Sequence, residues 1–284
     1  MPATLYLIAT PIGNLEDITL RALRVLREEV AVIACEDTRQ TQKLLDHFEI
    51  RKPLWSYHEH NEAARSEQII NALENGESVA LVSDAGTPLI SDPGYRVVAA
   101  AVQKQILVVP LPGASAAITA LAASGLAADE FRFVGFLPAK SGARRKTIEQ
   151  LADETGTVIA YESPHRILEC LSEVAEILGE RPVVVARELT KIHEEFLRGT
   201  ASSILAELQS RPSVRGEITL LIGRSEAKDD IDDPQGEVLR MEREGGLNRM
   251  DAIKLVAKRM GLPKREVYRL FSEPGSNPPD KRRG

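Results

Sequence analysis

Cysteine is scarce: of 284 residues only Cys35 and Cys170 carry a thiol, both in apolar surroundings and without metal-ligand spacing. This excludes a disulfide framework and a zinc site, and both thiols read as buried packing residues. No stretch approaches the roughly 20 apolar residues that span a bilayer, and Met1 to Thr10 lacks a charged region followed by a long apolar one. The chain therefore reads as cytoplasmic, with no membrane partner. The first apolar run is followed by Ala9-Thr10-Pro11-Ile12-Gly13-Asn14-Leu15 and not by Gly-x-Gly-x-x-Gly, and no Walker-type lysine motif occurs. An ordinary dinucleotide site and a P-loop are thereby excluded.

What is present is enough apolar material, 43% of residues, to build two ordinary domains. Net charge is −6, unevenly spread: residues 235–284 hold 12 Lys/Arg against 7 Asp/Glu, a net of +5, which leaves −11 on the other 234. A basic end on an acidic body suits a polyanion-contacting arm or a solvated tail, and charge alone does not choose between them.

Strand-like runs at Leu5 to Ala9, Val30 to Ala34, Ser78 to Val82 and Ile106 to Pro110 alternate with helical spacing around Leu20 to Leu26 and Ile69 to Leu73. This is α/β patterning, and it predicts an N-terminal domain over residues 1–126. A second series predicts strands at Phe131 to Leu137, Val158 to Tyr161, Val183 to Ala186 and Ile218 to Ile222. Helices are expected at Ala143 to Ala152, Arg166 to Leu178 and Ala201 to Leu208, making an α/β domain over 127–224. The acidic, polar stretch 225–236 reads as a linker. Residues 237–272 read as a helical appendage in which Arg249 to Met260, then Gly261-Leu262-Pro263, then Lys264 to Phe271 resemble a helix-turn-helix or an ordinary hairpin. The end, 273–284, has the composition of a disordered tail.

Two segments carry most of the chemistry. Ser83-Asp84-Ala85-Gly86-Thr87-Pro88 and Leu111-Pro112-Gly113-Ala114-Ser115-Ala116-Ala117 each follow a buried strand-like run. Their small residues let backbone approach a ligand beyond the strand ends, where α/β sheets bind small molecules. In Tyr57-His58-Glu59-His60-Asn61 two histidines flank Glu59, which reads as a strand end with polar residues pointing outward, and a metal would need a third ligand there.

Together with Glu36-Asp37-Thr38-Arg39, Asp92-Pro93-Gly94, Tyr161-Glu162-Ser163-Pro164-His165-Arg166, Ala186-Arg187-Glu188-Leu189-Thr190-Lys191 and Gly261-Leu262-Pro263-Lys264-Arg265-Glu266-Val267-Tyr268, these loops resemble the ribosomal RNA small-subunit methyltransferase I family of the tetrapyrrole methylase superfamily. The resemblance covers about residues 4–272. It implies a two-domain fold with the cofactor in a cleft between the domains, and a dimeric, S-adenosylmethionine-dependent enzyme that methylates the ribose 2′-oxygen of a cytidine in 16S rRNA. The substrate is naked rRNA or the assembled small subunit. By the same resemblance, cofactor contacts fall on Thr10, Pro11, Asp84, Ala85, Gly86, Thr87, Ser115, Ala116, Tyr161, Glu162, Ala186, Arg187 and Thr219.

A ribose hydroxyl benefits from a nearby base, and Asp37, His58, Glu59 and Glu162 are unranked candidates. Asn14, Arg39, Lys140, Arg144, Arg145 and Arg166 are the expected substrate contacts, the basic ones through phosphate. Ser83-Asp84-Ala85 keeps the acid of the Gly-Asp-Pro motif of tetrapyrrole-methylating relatives but departs on both sides, which weakens a corrinoid reading. Two alternatives stand beside the main one: a methylase of a tetrapyrrole or other small molecule, and a non-enzymatic nucleic-acid-binding regulator.

Overall fold

The computed structural model describes residues 2–225, 233–244, 246–260 and 262–270. The chain divides into two compact units, one through Arg224 and one from Ser225.

In the first unit, β1 (Thr4–Ile8), α1 (Leu20–Arg24), β2 (Val32–Cys35), α2 (Thr38–His47), β3 (Leu54–Ser56), α3 (Glu62–Glu74), β4 (Val79–Val82), α4 (Tyr95–Gln103) and β5 (Leu107–Leu111) build a first layer. Its strands are all parallel, in the order β3-β2-β4-β1-β5. β2 and β4 are buried along their whole length, as expected for a parallel sheet covered on both faces. Ile8, Ile33, Ala80 and Val82 pack to one side with α1, while Leu5, Ala34, Val79 and Leu81 pack to the other against α3 and α4. Local polar residues set helix starts: Thr19 accepts from Ala22 N–H and Asp37 from Arg39 N–H, each satisfying a first-turn donor.

After α5 (Ala116–Ser124), which ends at Gly125 in the left-handed conformation, the chain forms β6 (Phe131–Phe136), α6 (Ser141–Gln150), β7 (Thr157–Glu162), α7 (Ile167–Leu178), β8 (Pro182–Arg187), β9 (Glu195–Thr200), α8 (Ala201–Gln209) and β10 (Ile218–Ile222). The second sheet runs β6-β7-β10-β8-β9, with only β6 and β7 parallel. Its alternation is strict. Val158, Ala160, Val183, Val185, Leu220 and Ile222 face a core with α6, α7 and α8, while Ile159, Val184, Ala186 and Leu221 face α5. Ile12, from the loop after β1, joins that second core. So α5 and the β1 loop join the first layer to the second sheet.

The sequence missed β3 and β9, which are short or amphipathic, and α2, α4 and α5. The second unit contains α9 (Pro234–Glu244), α10 (Arg249–Met260) and α11 (Lys264–Arg269), with Val238, Ala252, Ile253, Val256, Ala257 and Val267 as its core. The helices α10 and α11 therefore share this core with a third helix, α9, which begins within the stretch read as linker. Residues 226–232 of that stretch and the tail 273–284 lie outside the described residues.

Candidate functional site

Strands β4, β1 and β5 lie side by side and parallel, so the loops after them emerge together. Thr10 N–H donates to Gly86 O at 2.9 Å and Gly86 N–H returns to Thr10 O at 3.0 Å. Thr10 Oγ1 donates to Ser83 O at 2.9 Å, and Thr87 Oγ1 to Ala114 O at 3.0 Å. Gly86 has φ +89°, a conformation that favours glycine. At Gly113 a Cβ would lie 2.7 Å from Ala9 Cβ, so only glycine allows these two loops to touch.

A cavity of about 360 Å³ opens beyond these loops, within the range of small-molecule sites. One wall is Asp84, Ala85, Gly86 and Thr87 with Ile90, Ser91 and Asp92. A second is Ser115 and Ala116 at the start of α5, and the third comes from the second sheet: Phe136, Tyr161, Glu162, Ile218 and Thr219. Tyr161 stands between Phe133 and Phe136, with ring centroids 5.0 and 5.6 Å away and edge-to-face. Of the expected cofactor residues, Asp84 to Thr87, Ser115, Ala116, Tyr161, Glu162 and Thr219 meet here. Thr10 and Ala186 lie behind the wall, Thr10 bridged to Gly86 and Ala186 paired in register with Thr219. Pro11 is absent from the lining, and Arg187 is engaged with Glu195 at 3.0 Å.

The lining is acidic: Asp84, Asp92, Glu162 and Glu217 contribute carboxylates, and among the described residues that line it there is no Lys, Arg or His. Asp84 Oδ1 accepts from Asp37 N–H at 3.0 Å. Glu162 Oε1 holds Arg166 at 2.6 Å and accepts from Ser163 N–H, while its Oε2 is buried without a partner. Burial, helped by Glu36 and Asp84, pushes the Asp92 carboxyl up to about 6. Such a chamber suits a small cation and repels phosphates or a polycarboxylate.

The remaining sequence candidates separate. Asp37 caps α2 and pairs with Arg39 at 2.8 Å, and hydrogen bonds from Arg39 hold its carboxyl down to about 2. Neither Asp37, His58 nor Glu59 lines the cavity. The backbone N–H of His58 donates to the Asn61 side chain. Asn14 caps a short helical turn by accepting from Glu16 N–H. Arg144 departs from the expected phosphate contact: its side chain is 1% exposed and bound to Glu173 and Glu169 on α7, because α6 turns that face inward. Arg145, one residue on, pairs with Glu176 at the surface. Arg166 is committed to Glu162. Lys140 and Arg39 are exposed.

Sequence reasoning left Asp92 without a role, although Asp92-Pro93-Gly94 stood among the motifs, because nothing local distinguishes it from a turn acid. Leu189 stood within a family-like motif without a role assigned to it, while Phe136 and Glu217 have no sequence signal; sheet packing brings them in.

The family profile described as Tetrapyrrole (Corrin/Porphyrin) Methylases matches residues 4–205. A protein from Halalkalibacterium halodurans named Ribosomal RNA small subunit methyltransferase I is 46% identical over 95% of both chains. One of the same name from Bacillus subtilis is 46% identical over 94% of this chain and 93% of its own. Among solved structures, a cobalt precorrin-4 methyltransferase superposes with TM-score 0.57 at 17% identity, covering 78% of this chain and 94% of that one. A uroporphyrin-III C-methyltransferase from Thermus thermophilus, complexed with S-adenosyl homocysteine, gives TM-score 0.54 at 19% identity over 78% and 97%. These structural likenesses show the fold.

Proposed function

The chain belongs to the tetrapyrrole methylase family, and within it to the ribosomal RNA small-subunit methyltransferase I group, and from that premise we propose that it methylates the ribose 2′-oxygen of a cytidine in 16S rRNA. It is an S-adenosylmethionine-dependent methyltransferase of small-subunit rRNA. The observation that carries the reading is the acidic chamber, free of lysine and arginine, at the meeting of the β4, β1 and β5 loops with the second sheet.

The residues fit the cofactor. S-adenosylmethionine carries a sulfonium and an ammonium, and the lining sets Asp84, Glu162 and Glu217 against them, with a buried unpartnered oxygen on Glu162. When bound, it supplies a methyl group already activated by a positively charged sulfur. Gly86, Ser115 and Ala116 are small enough to admit ligand atoms near backbone. Asp84 and Glu162 hold negative charge in fixed positions through Asp37 N–H and Arg166. Ile12, Ile90, Leu189 and Phe136 add apolar cover that excludes water. The likeness over nearly the whole chain to relatives named for small-subunit rRNA favours RNA over the small-molecule alternative; a purely DNA- or RNA-binding regulator would leave the chamber unused.

Phosphates stay outside the chamber, and we assign them to Lys140, Arg39 and Arg145 on the first unit and to Lys264, Arg265 and Arg269 on α11, all surface positions. We further propose a cytoplasmic homodimer. No helix among the described residues is long and apolar enough to cross a membrane. Support for pairing is the exposure of Tyr95 and Val102 on α4 and Leu107 on the adjacent edge strand β5. Sedimentation at micromolar concentration giving only active monomer would refute the dimer.

Mapping ribose methylation in rRNA from a deletion strain tests the main reading. One cytidine should lose its 2′-O-methyl group and regain it when the gene is restored; an unchanged map rejects the assignment.

A further inference from the structure

The cavity holds one acid for which the substrate's chemistry has a use and which no other part of the site employs. The other three lining carboxylates are each tied to a protein partner, Glu162 through only one of its two oxygens. Asp84 accepts a backbone N–H from Asp37, Glu162 is clamped by Arg166, and Glu217 meets Lys191 at 3.1 Å. Asp92 faces acids instead: Glu36 at the end of β2 and Asp84 after β4 both act on it, with Tyr161 across the cavity. Ser83, the polar neighbour that favours its charged form, has its hydroxyl donated to Gly86 O at 2.7 Å.

The backbone that delivers Asp92 is strained. Leu89 and Ser91 both sit in the left-handed region, at φ +71° and +65°, although neither is glycine. Such conformations are unfavourable for residues that carry a Cβ and persist only where the surroundings enforce them. Enforcement is visible: Ile90 N–H reaches Thr87 O, Gly94 N–H donates to Glu62, and a Cβ on Gly94 would strike Leu81 at 2.9 Å. On the far side, Ser91 Oγ lies 3.4 Å from where a Cβ on Gly135 would stand. The segment is thus wedged between the two layers with Ile90, Ser91 and Asp92 turned to the cavity.

We propose that Asp92 is the catalytic base that takes the proton from the attacking ribose 2′-hydroxyl. This rests on the ribose assignment above. In the transfer, the oxygen–methyl bond forms as the sulfur–methyl bond breaks. The electron pair of the broken bond stays on sulfur, and the hydroxyl proton passes to the Asp92 carboxylate and then to water. Asp37, tied to Arg39 and outside the cavity, has neither the position nor the basicity for this. Burial first, and then the nearby acids Glu36 and Asp84, make the Asp92 carboxyl bind a proton more readily than an exposed, isolated one, which is what a base working near neutral pH needs.

The test uses the full chain with tritiated S-adenosylmethionine and small subunits from the deletion strain, comparing the parent with Asp92→Asn and Asp92→Glu. Parent activity is the control for the ribose assignment: no methyl transfer by the parent refutes that reading, and this inference with it. Given an active parent, Asp92→Asn should lower kcat about 100-fold or more, the usual scale of a general base, and should bind S-adenosylmethionine within about threefold by calorimetry. The parent rate should fall below about pH 6, and Asp92→Asn should lose that limb; Asp92→Glu should recover part of kcat.

Melting temperature gives a readout apart from activity. The folded carboxyl binds its proton more tightly than the unfolded one, so its stabilising contribution is present at low pH and is lost as pH rises through about 6. Asp92→Asn should therefore gain on the parent between pH 5 and pH 8. An Asp92→Asn enzyme with near-parent kcat and an unchanged acid limb overturns the proposal. So does a loss of cofactor affinity beyond about threefold, which would make Asp92 a cofactor contact, and so does a pH-independent melting difference.

Discussion

Arg144 and Glu173 form an ion pair inside the protein, with Nε 2.6 Å from Oε2 and side chains 1% and 9% exposed. Ser141 Oγ donates to the same carboxylate at 2.6 Å, so α6 and α7 are pinned by a small polar network within an apolar core. Removing one partner of a buried pair leaves the other charge uncompensated, at a cost of about 3–5 kcal/mol. Arg144→Ala should lose that much stability in urea unfolding, whereas Arg145→Ala, which breaks a surface pair with Glu176, should lose about 1 kcal/mol or less. Equal effects would mean that the two neighbouring arginines are not separated by burial.

Cofactor binding should fail from either of two walls. Gly86→Val forces a β-branched residue into the left-handed region and pushes toward Ile12 Cγ2, 3.4 Å from an ideal Cβ. Ala116→Leu fills space at the start of α5. Each should weaken S-adenosylmethionine at least tenfold in calorimetry while far-ultraviolet circular dichroism stays native. A folded variant with parental affinity would remove its loop from the site.

RNA affinity should depend on charges outside the cavity. Changing Lys264, Arg265 and Arg269 together to Gln should weaken small-subunit RNA binding and flatten its dependence on salt, by about 0.7 in log–log slope for each lost phosphate contact to single-stranded RNA. Lys140→Gln with Arg145→Gln should do the same from the first unit. Cofactor affinity should not change in either variant. A parental salt slope in both would displace the RNA-holding surface.

Much of this was legible in the sequence because it is written locally. The strands β1, β4, β7, β8 and β10 are short, largely buried apolar runs, β5 is an apolar run on the sheet edge, and the loops after β4 and β5 announce themselves by small residues. Asp84, Gly86, Ser115 and Tyr161 therefore found their place from motif and position. Long-range pairing was not legible. Arg144 and Arg145 look alike in the sequence, and only the rotation of α6 against α7 buries the first. Asp37 looked like a base and is a helix cap; Asp92 looked like a turn residue and lines the cavity. Amphipathic β9, half-buried on an edge, lacks the continuous apolar signal that marks the central strands.

The most direct test of the central claim is to incubate the purified chain with tritiated S-adenosylmethionine and small subunits from a deletion strain, then identify the labelled nucleoside by chromatography and mass spectrometry. The account predicts label in 2′-O-methylcytidine at one position, dependent on the protein and reduced by Gly86→Val. Label on a base, or no transfer to RNA by a protein that binds the cofactor, would contradict it.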